Sequence, residues 1–158
     1  MVKSSERWII VGNKLSFIGE YRHNLDTKGR LAVPAHFRNL LGNYFTITVG
    51  LDGCITVYTE EQWEVFYDKL MTLPTNKKNS RDYVRAFTAN ARTCELDAQG
   101  RILLPQSLIR YGGLVKECAI IGVGNHIEIW NAEKWDEICN STLDSLNGIA
   151  EDLPEMLG

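Results

Sequence analysis

Apolar residues recur along this chain with two periods, and the switches between them mark out its elements. From Phe17 to Leu25 the odd positions Phe17, Gly19, Tyr21, His23 and Leu25 oppose Ile18, Glu20, Arg22 and Asn24, which predicts a strand with one wetter face. A turn at Thr27-Lys28-Gly29 follows, and Arg30 to Val33 reads as the returning strand. Pro34 to Gly42 has proline where a first helical turn accepts it and glycine just past the end, which predicts a short helix. Phe45 to Val49 and Ile55 to Tyr58, joined by Gly50-Leu51-Asp52-Gly53, predict a hairpin. Thr59 and Gln62 are spaced as a capping box, and Trp63, Phe66, Tyr67, Leu70 and Leu73 recur at helical spacing, so a helix is expected from Glu60 to Leu73.

Leu73-Pro74-Thr75-Asn76-Lys77-Lys78-Asn79 breaks that pattern. Ser80 is placed to cap a further helix through Ala91, with Tyr83, Val84, Phe87 and Ala91 on one face. The cycle then restarts with a strand into Asp97, a turn at Gly100, a helix from Pro105 to Gly112, and strands at Cys118 to Gly122 and Ile127 to Trp130. Asn131 caps a last helix that carries Trp135, Ile138, Cys139, Leu143 and Leu146. Ser4 to Arg7 reads as a loose arm and Trp8 to Val11 as a short strand, neither with a counterpart later in the chain.

The restart is a true repeat. Asp26-Thr27-Lys28-Gly29-Arg30-Leu31-Ala32-Val33-Pro34 returns as Asp97-Ala98-Gln99-Gly100-Arg101-Ile102-Leu103-Leu104-Pro105, 71 residues later. Gly50 and Gly122, Tyr58 and Trp130, and Trp63 and Trp135 match at a spacing of 72, so one residue was gained between motif and hairpin. The organisation expected is an arm over 1–16, a first unit over 17–79, a second over 80–147 and an acidic tail over 148–158. Units of this size are marginally stable alone, so the halves should pack on each other or on other subunits.

Composition adds an asymmetry. The 158 residues are 44% hydrophobic and 23% charged, a globular balance, and the net charge of −3 argues against wholesale coating of nucleic acid. Yet residues 1–48 hold seven basic residues against three acidic ones, a net +4, whereas the remainder carries −7. One end therefore has a field suited to phosphate. Cys54, Cys94, Cys118 and Cys139 lie far apart without zinc spacing and read as small buried hydrophobes of a reducing cytoplasm. The apolar run at Trp8 to Gly12 is too short for a signal-peptide core or a membrane span.

The motif admits two readings. In one, Asp26 and Asp97 accept hydrogen bonds from turn amides or pair with the arginine four residues on, while Gly29, Gly100, Pro34 and Pro105 set the backbone. In the other, Arg30 beside Lys28 presents a forked donor to phosphate or to a guanine edge, and the strand carrying Arg22, His23 and Asn24 enters the major groove as part of a two-stranded ribbon. The two are not exclusive. A catalytic pair of aspartates is disfavoured, because Lys28 and Arg30 hold Asp26 ionised and Asp97 lacks the hydroxyl neighbour that Thr27 gives Asp26. His23, His36 and His126 have no nucleophile in a recognisable frame, and Gly12-Asn13-Lys14 lacks the upstream glycine of a phosphate loop. No catalytic residue, metal or cofactor is expected.

The repeated Asp-x-x-Gly-Arg with its trailing proline, entered through Gly19-Glu20-Tyr21-Arg22-His23 and followed by Gly50 to Tyr58, resembles the bacterial MraZ family over about residues 17 to 146. The resemblance implies an α+β fold of tandem AbrB-like swapped-hairpin β-barrel half-units with added helices, forming one pseudo-two-fold domain. It implies a non-enzymatic regulator of the cytoplasm and nucleoid that binds short direct repeats in double-stranded DNA upstream of the division and cell-wall gene cluster. It further implies a ring-shaped homo-oligomer, with no membrane and no small-molecule substrate. The family's DNA-binding arginine matches Arg30, and its equivalent in the second repeat matches Arg101. Lys28 becomes Gln99 in the second copy, and His36 and Arg38 become Ser107 and Ile109, so the first repeat, with Lys28, Arg22, His23 and Arg38, is expected to bind more of the phosphate. Family chains usually begin just before the Phe-Ile-Gly-Glu segment. Leu15 stands where their initiator methionine is expected, so residues 1–14 read as a mis-assigned extension. The rival reading is a non-catalytic structural assembly protein whose basic end is incidental.

Overall fold

The duplicated sequence produces a duplicated order of elements. The computed structural model describes residues 10–11 and 14–155; Ser4 to Ile9, expected as arm and strand, lie outside them. Strands β1 (Ile10–Val11) and β2 (Lys14–Leu15) form a small antiparallel pair. The first unit runs β3 (Phe17–Asn24), β4 (Arg30–Ala32), α1 (Ala35–Leu41), β5 (Phe45–Val49), β6 (Ile55–Thr59) and α2 (Glu60–Met71). After α3 (Lys78–Ala89) the second runs β7 (Arg92–Cys94), β8 (Arg101–Leu103), α4 (Gln106–Tyr111), β9 (Glu117–Gly124), β10 (Ile127–Asn131) and α5 (Ala132–Asp144), followed by α6 (Leu146–Glu151). The class is α+β, with antiparallel sheets throughout the described residues.

The pairing of the strands exchanges them between the repeats. The larger sheet has the order β3-β9-β10-β6-β5-β7, which swapping the two repeats simply reverses. At its centre Thr56 faces Glu128, two positions equivalent at the 72-residue spacing. A second sheet contains only β4 and β8, with Leu31 opposite Ile102, equivalent at 71. A pseudo-two-fold axis therefore passes through both strand pairs. The expected return of Arg30 to Val33 onto the strand before it does not occur. Instead β3 lies along β9, from Phe17 opposite Gly124 to Asn24 opposite Glu117, and β4 leaves the turn to pair with β8. The reason is burial: Leu31 and Ile102, at 0% and 1% exposure, share one core only when their strands lie side by side.

That core draws on both halves. Leu31, Phe37, Phe45, Ile47, Ile55 and Val57 pack with Ile102, Leu108, Ile120, Ile127 and Ile129 in one cluster. Burying each such side chain is worth about 1.5–3 kcal/mol over leaving it exposed, which neither half gains alone. The aromatic stripe of α2 serves packing: Phe66 stacks on Tyr58 at 5.4 Å and meets Phe87 of α3 edge-on at 5.0 Å.

Helix ends follow the capping chemistry with three differences. Thr59 Oγ1 accepts from the Gln62 amide at 3.1 Å and Asn131 Oδ1 from the Lys134 amide at 3.1 Å, as their spacing predicts. Pro34 stands at the N-cap of α1 rather than inside it, its carbonyl accepting from the Phe37 and Arg38 amides. α3 begins at Lys78, ahead of the expected Ser80, because the Lys77 carbonyl already accepts the Arg81 amide at 3.1 Å. Leu146 lies in a separate helix, since Ser145 leaves helical geometry at φ −110°, ψ 12° and ends α5.

Gly122 lets β3 and β9 approach: a Cβ there would lie 2.5 Å from the Phe17 carbonyl carbon and 2.8 Å from its oxygen, with the Ile18 nitrogen closer still. Gly122→Ala is expected to cost about 1–3 kcal/mol through overpacking. Urea unfolding measures this, and an unchanged midpoint would contradict the close approach.

Candidate nucleic-acid interface

Each motif copy folds into the same closed loop because its aspartate has two oxygens and three donors within reach. Asp26 Oδ1 accepts from the Lys28 and Arg30 amides at 2.9 and 2.8 Å, and Oδ2 accepts from Arg30 Nε at 2.7 Å. Asp97 repeats this with the Gln99 and Arg101 amides, both at 2.9 Å, and Arg101 Nε at 2.8 Å. Gly29 at φ 81° and Gly100 at φ 75° supply the left-handed residue that closes each turn. The bonds from the arginine amide, then from its side chain and the intervening amide, hold each carboxyl below the usual carboxylate range. Each loop is also tied to the opposite repeat: the Gly29 carbonyl accepts the Leu104 amide at 2.8 Å, and the Gly100 carbonyl accepts the Val33 amide at 3.0 Å.

The β4–β8 ribbon carries the arginines between the loops. Alternation puts Leu31 and Ile102 into the core and turns Arg30, Ala32, Arg101 and Leu103 to the other face. Arg30 engages Asp26 through Nε alone, which leaves its Nη edge without a protein acceptor among the described residues. Arg101 is more occupied, with Nη2 donating to Gln99 Oε1 at 3.0 Å and Nη1 3.9 Å from Asp26. The exchange of Lys28 for Gln99 thus changes how much of the neighbouring guanidinium is available.

Helix α1 reaches across the axis. The Arg38 Cδ and Cζ lie 2.7 and 2.9 Å from the place a Cβ would take on Gly100, so this cation of the first repeat rests against the loop of the second. Ile109 of α4 occupies the matching place under Gly29, its Cδ1 at 3.3 Å. Alignment of the two copies sets Arg38 against Ile109 and hides this, because the signal lies in the exchange of strands rather than in either sequence.

The remaining expected site residues lie elsewhere. Arg22, on β3, is ringed by Glu20 at 2.8 Å, Glu117 at 3.2 Å and Asp136 at 2.5 Å, and Trp135 Nε1 donates to Glu20 at 2.7 Å. The Asp136 contact first and then Glu20 raise the Arg22 pKa, so β3, β9 and α5 are joined by an ion cluster with an excess of acid. His23 is exposed on the same strand, and His36 on α1 stacks on Tyr21 at 6.0 Å. His126 lies in the β9–β10 turn between Asn125 and Glu128. An open surface cavity of about 990 Å³ is lined by residues such as Phe17, Tyr44 and Glu60 and by none of the motif residues.

The repeat architecture has a counterpart among known proteins. The family model described as "MraZ protein, putative antitoxin-like" matches the chain twice, over residues 16–86 and 87–153. The chain belongs to the MraZ family. Two MraZ relatives named Transcriptional regulator MraZ, from Ligilactobacillus salivarius and Pediococcus pentosaceus, are 45% and 46% identical over 137 residues, covering 87% of this chain and 96% of each relative. MraZ is a family of transcriptional regulators, not of enzymes. No helix among the described residues is long and apolar enough to cross a membrane.

A depressed carboxyl contributes stability above its ordinary pKa of about 3.9 and loses it as pH falls through the lower native value. Asp26→Asn removes that contribution. The stability gap between wild type and Asp26→Asn is therefore expected to be constant near neutrality and to narrow progressively as pH falls below about 4 towards the lower native value, as followed by urea unfolding across pH 3–7. A gap as wide at pH 3 as at pH 7 would show that the carboxylate is not its source.

Proposed function

We propose that the chain is a sequence-specific DNA-binding transcriptional regulator of the division and cell-wall gene cluster, acting on short direct repeats in its own promoter region. The observation that carries this reading is the cross-repeat ribbon, which presents Arg30 and Arg101 on one outward face, between the loop bearing Lys28 and the second repeat's loop, against which Arg38 of α1 rests. Three residues of β-strand extend about 10 Å, a fit to a major groove about 12 Å wide. Guanidiniums fixed through Nε by Asp26 and Asp97 are already oriented and lose little freedom on gripping a guanine edge or phosphate. His23 and Arg22 belong to the periphery of this interface, Arg22 the less available because of its three acids.

The same proposal includes the finer architecture and the assembly. The swapping of β3 and β7 between the repeats supports AbrB-like swapped-hairpin half-units closing around the pseudo-two-fold axis. Exposed Val65, Tyr67 and Met71 on α2 and Leu143, Leu146 and Ile149 on α5 and α6 support burial against identical subunits in a ring. A ring presents several ribbons to spaced repeats, and linking weak sites raises avidity through effective concentration. The work of such a protein is in the cytoplasm, at the nucleoid. These apolar faces also favour a second reading, a structural assembly protein without sequence preference.

A mobility-shift series with promoter-repeat DNA, scrambled DNA and two salt concentrations separates the two, because only a regulator prefers the repeats. Arg30→Ala is expected to weaken repeat binding by about 1–3 kcal/mol if it grips a base edge, with far-UV circular dichroism and assembly unchanged. Arg38→Ala is expected to reduce the slope of log affinity against log salt by about 0.9 for each site engaged. Unchanged affinity in Arg30→Ala would remove the ribbon from the interface.

A further inference from the structure

Leu103 is the unexplained side chain of the ribbon. It is 63% exposed, directly opposite Arg30, whereas its equivalent in the other repeat is the much shorter Ala32 opposite Arg101. Its Cδ1 lies 4.0 Å from the Cβ position of Gly29, so the side chain leans along the end of the ribbon that carries Lys28 and Arg30. A single exposed leucine is ordinary on a protein surface, but this one stands among cations on a face whose charge suits a polyanion. A protein partner there would have to bring carboxylates to Lys28, Arg30 and Arg101. Duplex DNA brings phosphate to the cations and, within the major groove, one apolar group: the C5-methyl of thymine.

The distances in that groove agree with the ribbon. Opposed residues of an antiparallel pair lie about 5 Å apart, and successive bases are spaced by about 3.4 Å. An arginine held on guanine O6 and N7 therefore carries the side chain opposite it to a neighbouring base pair. We propose that Leu103 is a specificity-determining residue that packs on the methyl group of a thymine adjacent to the guanine gripped by Arg30. This rests on the DNA-binding reading above. Ala32 is too short for the same contact beside Arg101, so the two ends of the ribbon read different bases. A pseudo-symmetric protein thereby selects an asymmetric element, the kind that recurs as a direct repeat rather than a palindrome.

Deoxyuridine tests this, because it removes the methyl of thymine and leaves every hydrogen-bonding group in place. Full-length wild type and Leu103→Ala are titrated against promoter duplexes in which one thymine position at a time, on either strand, is replaced by deoxyuridine in every repeat. Loss of one buried methyl is expected to weaken wild-type binding by about fourfold per engaged site at one position. Leu103→Ala should bind the unmodified duplex with the same deficit and no longer distinguish thymine from deoxyuridine there. Wild-type binding that prefers repeats over scrambled DNA but ignores every substitution overturns the role of Leu103 alone. So does a position whose sensitivity survives in Leu103→Ala. Absence of any preference for the repeats overturns the DNA-binding reading, and this inference with it.

Discussion

Neither repeat can complete its own sheet, and most of the structure follows from that constraint. β3 has its hydrogen-bonding partner in β9, β7 has its partner in β5, and the three-residue strands β4 and β8 have only each other. Backbone groups left unpaired in a buried strand are costly, so the halves are obliged to meet, and Leu31 against Ile102 fixes the register of the meeting. The loops, the ribbon and the crossing helices take their positions from this one pairing.

Electrostatics is laid over that symmetry without obeying it. Two aspartates close two equivalent loops, yet one loop leaves its guanidinium edge free and the other spends a donor on Gln99. In a homodimer of identical half-units any change would appear on both sides of the axis. Joining the halves in one chain allows Lys28 and Gln99, Arg38 and Ile109, and Ala32 and Leu103 to differ while the shared backbone stays equivalent.

What was legible in the sequence was local. The β5–β6 hairpin, the capped starts of α2 and α5 and the glycines of both loops follow from spacing within a dozen residues, where periodicity and turn chemistry act directly. The repeat itself announced the motif residues, and the resemblance it carried led to the family that the comparison found. The partners of β3 and β4 were not legible, since alternation specifies which face of a strand is buried but not which strand lies beside it. The place of Arg38 was hidden for the same reason: aligned by position it looks lost from the second repeat, and only the exchange of elements brings it to Gly100. The acids around Arg22 were not legible either, because Glu117 and Asp136 come from far along the chain.

The exchange also has a cost in time. Phe17 pairs with Gly124, so the first long strand emerges from the ribosome more than a hundred residues before its partner. At about 5–20 residues per second the wait is on the order of 5–20 s. During that interval the β5–β6 hairpin and α1 can form, but β3 has an open edge. Lys, Arg and Glu side chains guard such edges against pairing with another chain, and Glu20 and Arg22, placed mid-strand, put charge where a nascent copy would otherwise add. Because β3 is still the outermost strand of the finished sheet, the same charges guard that edge in the folded chain as well.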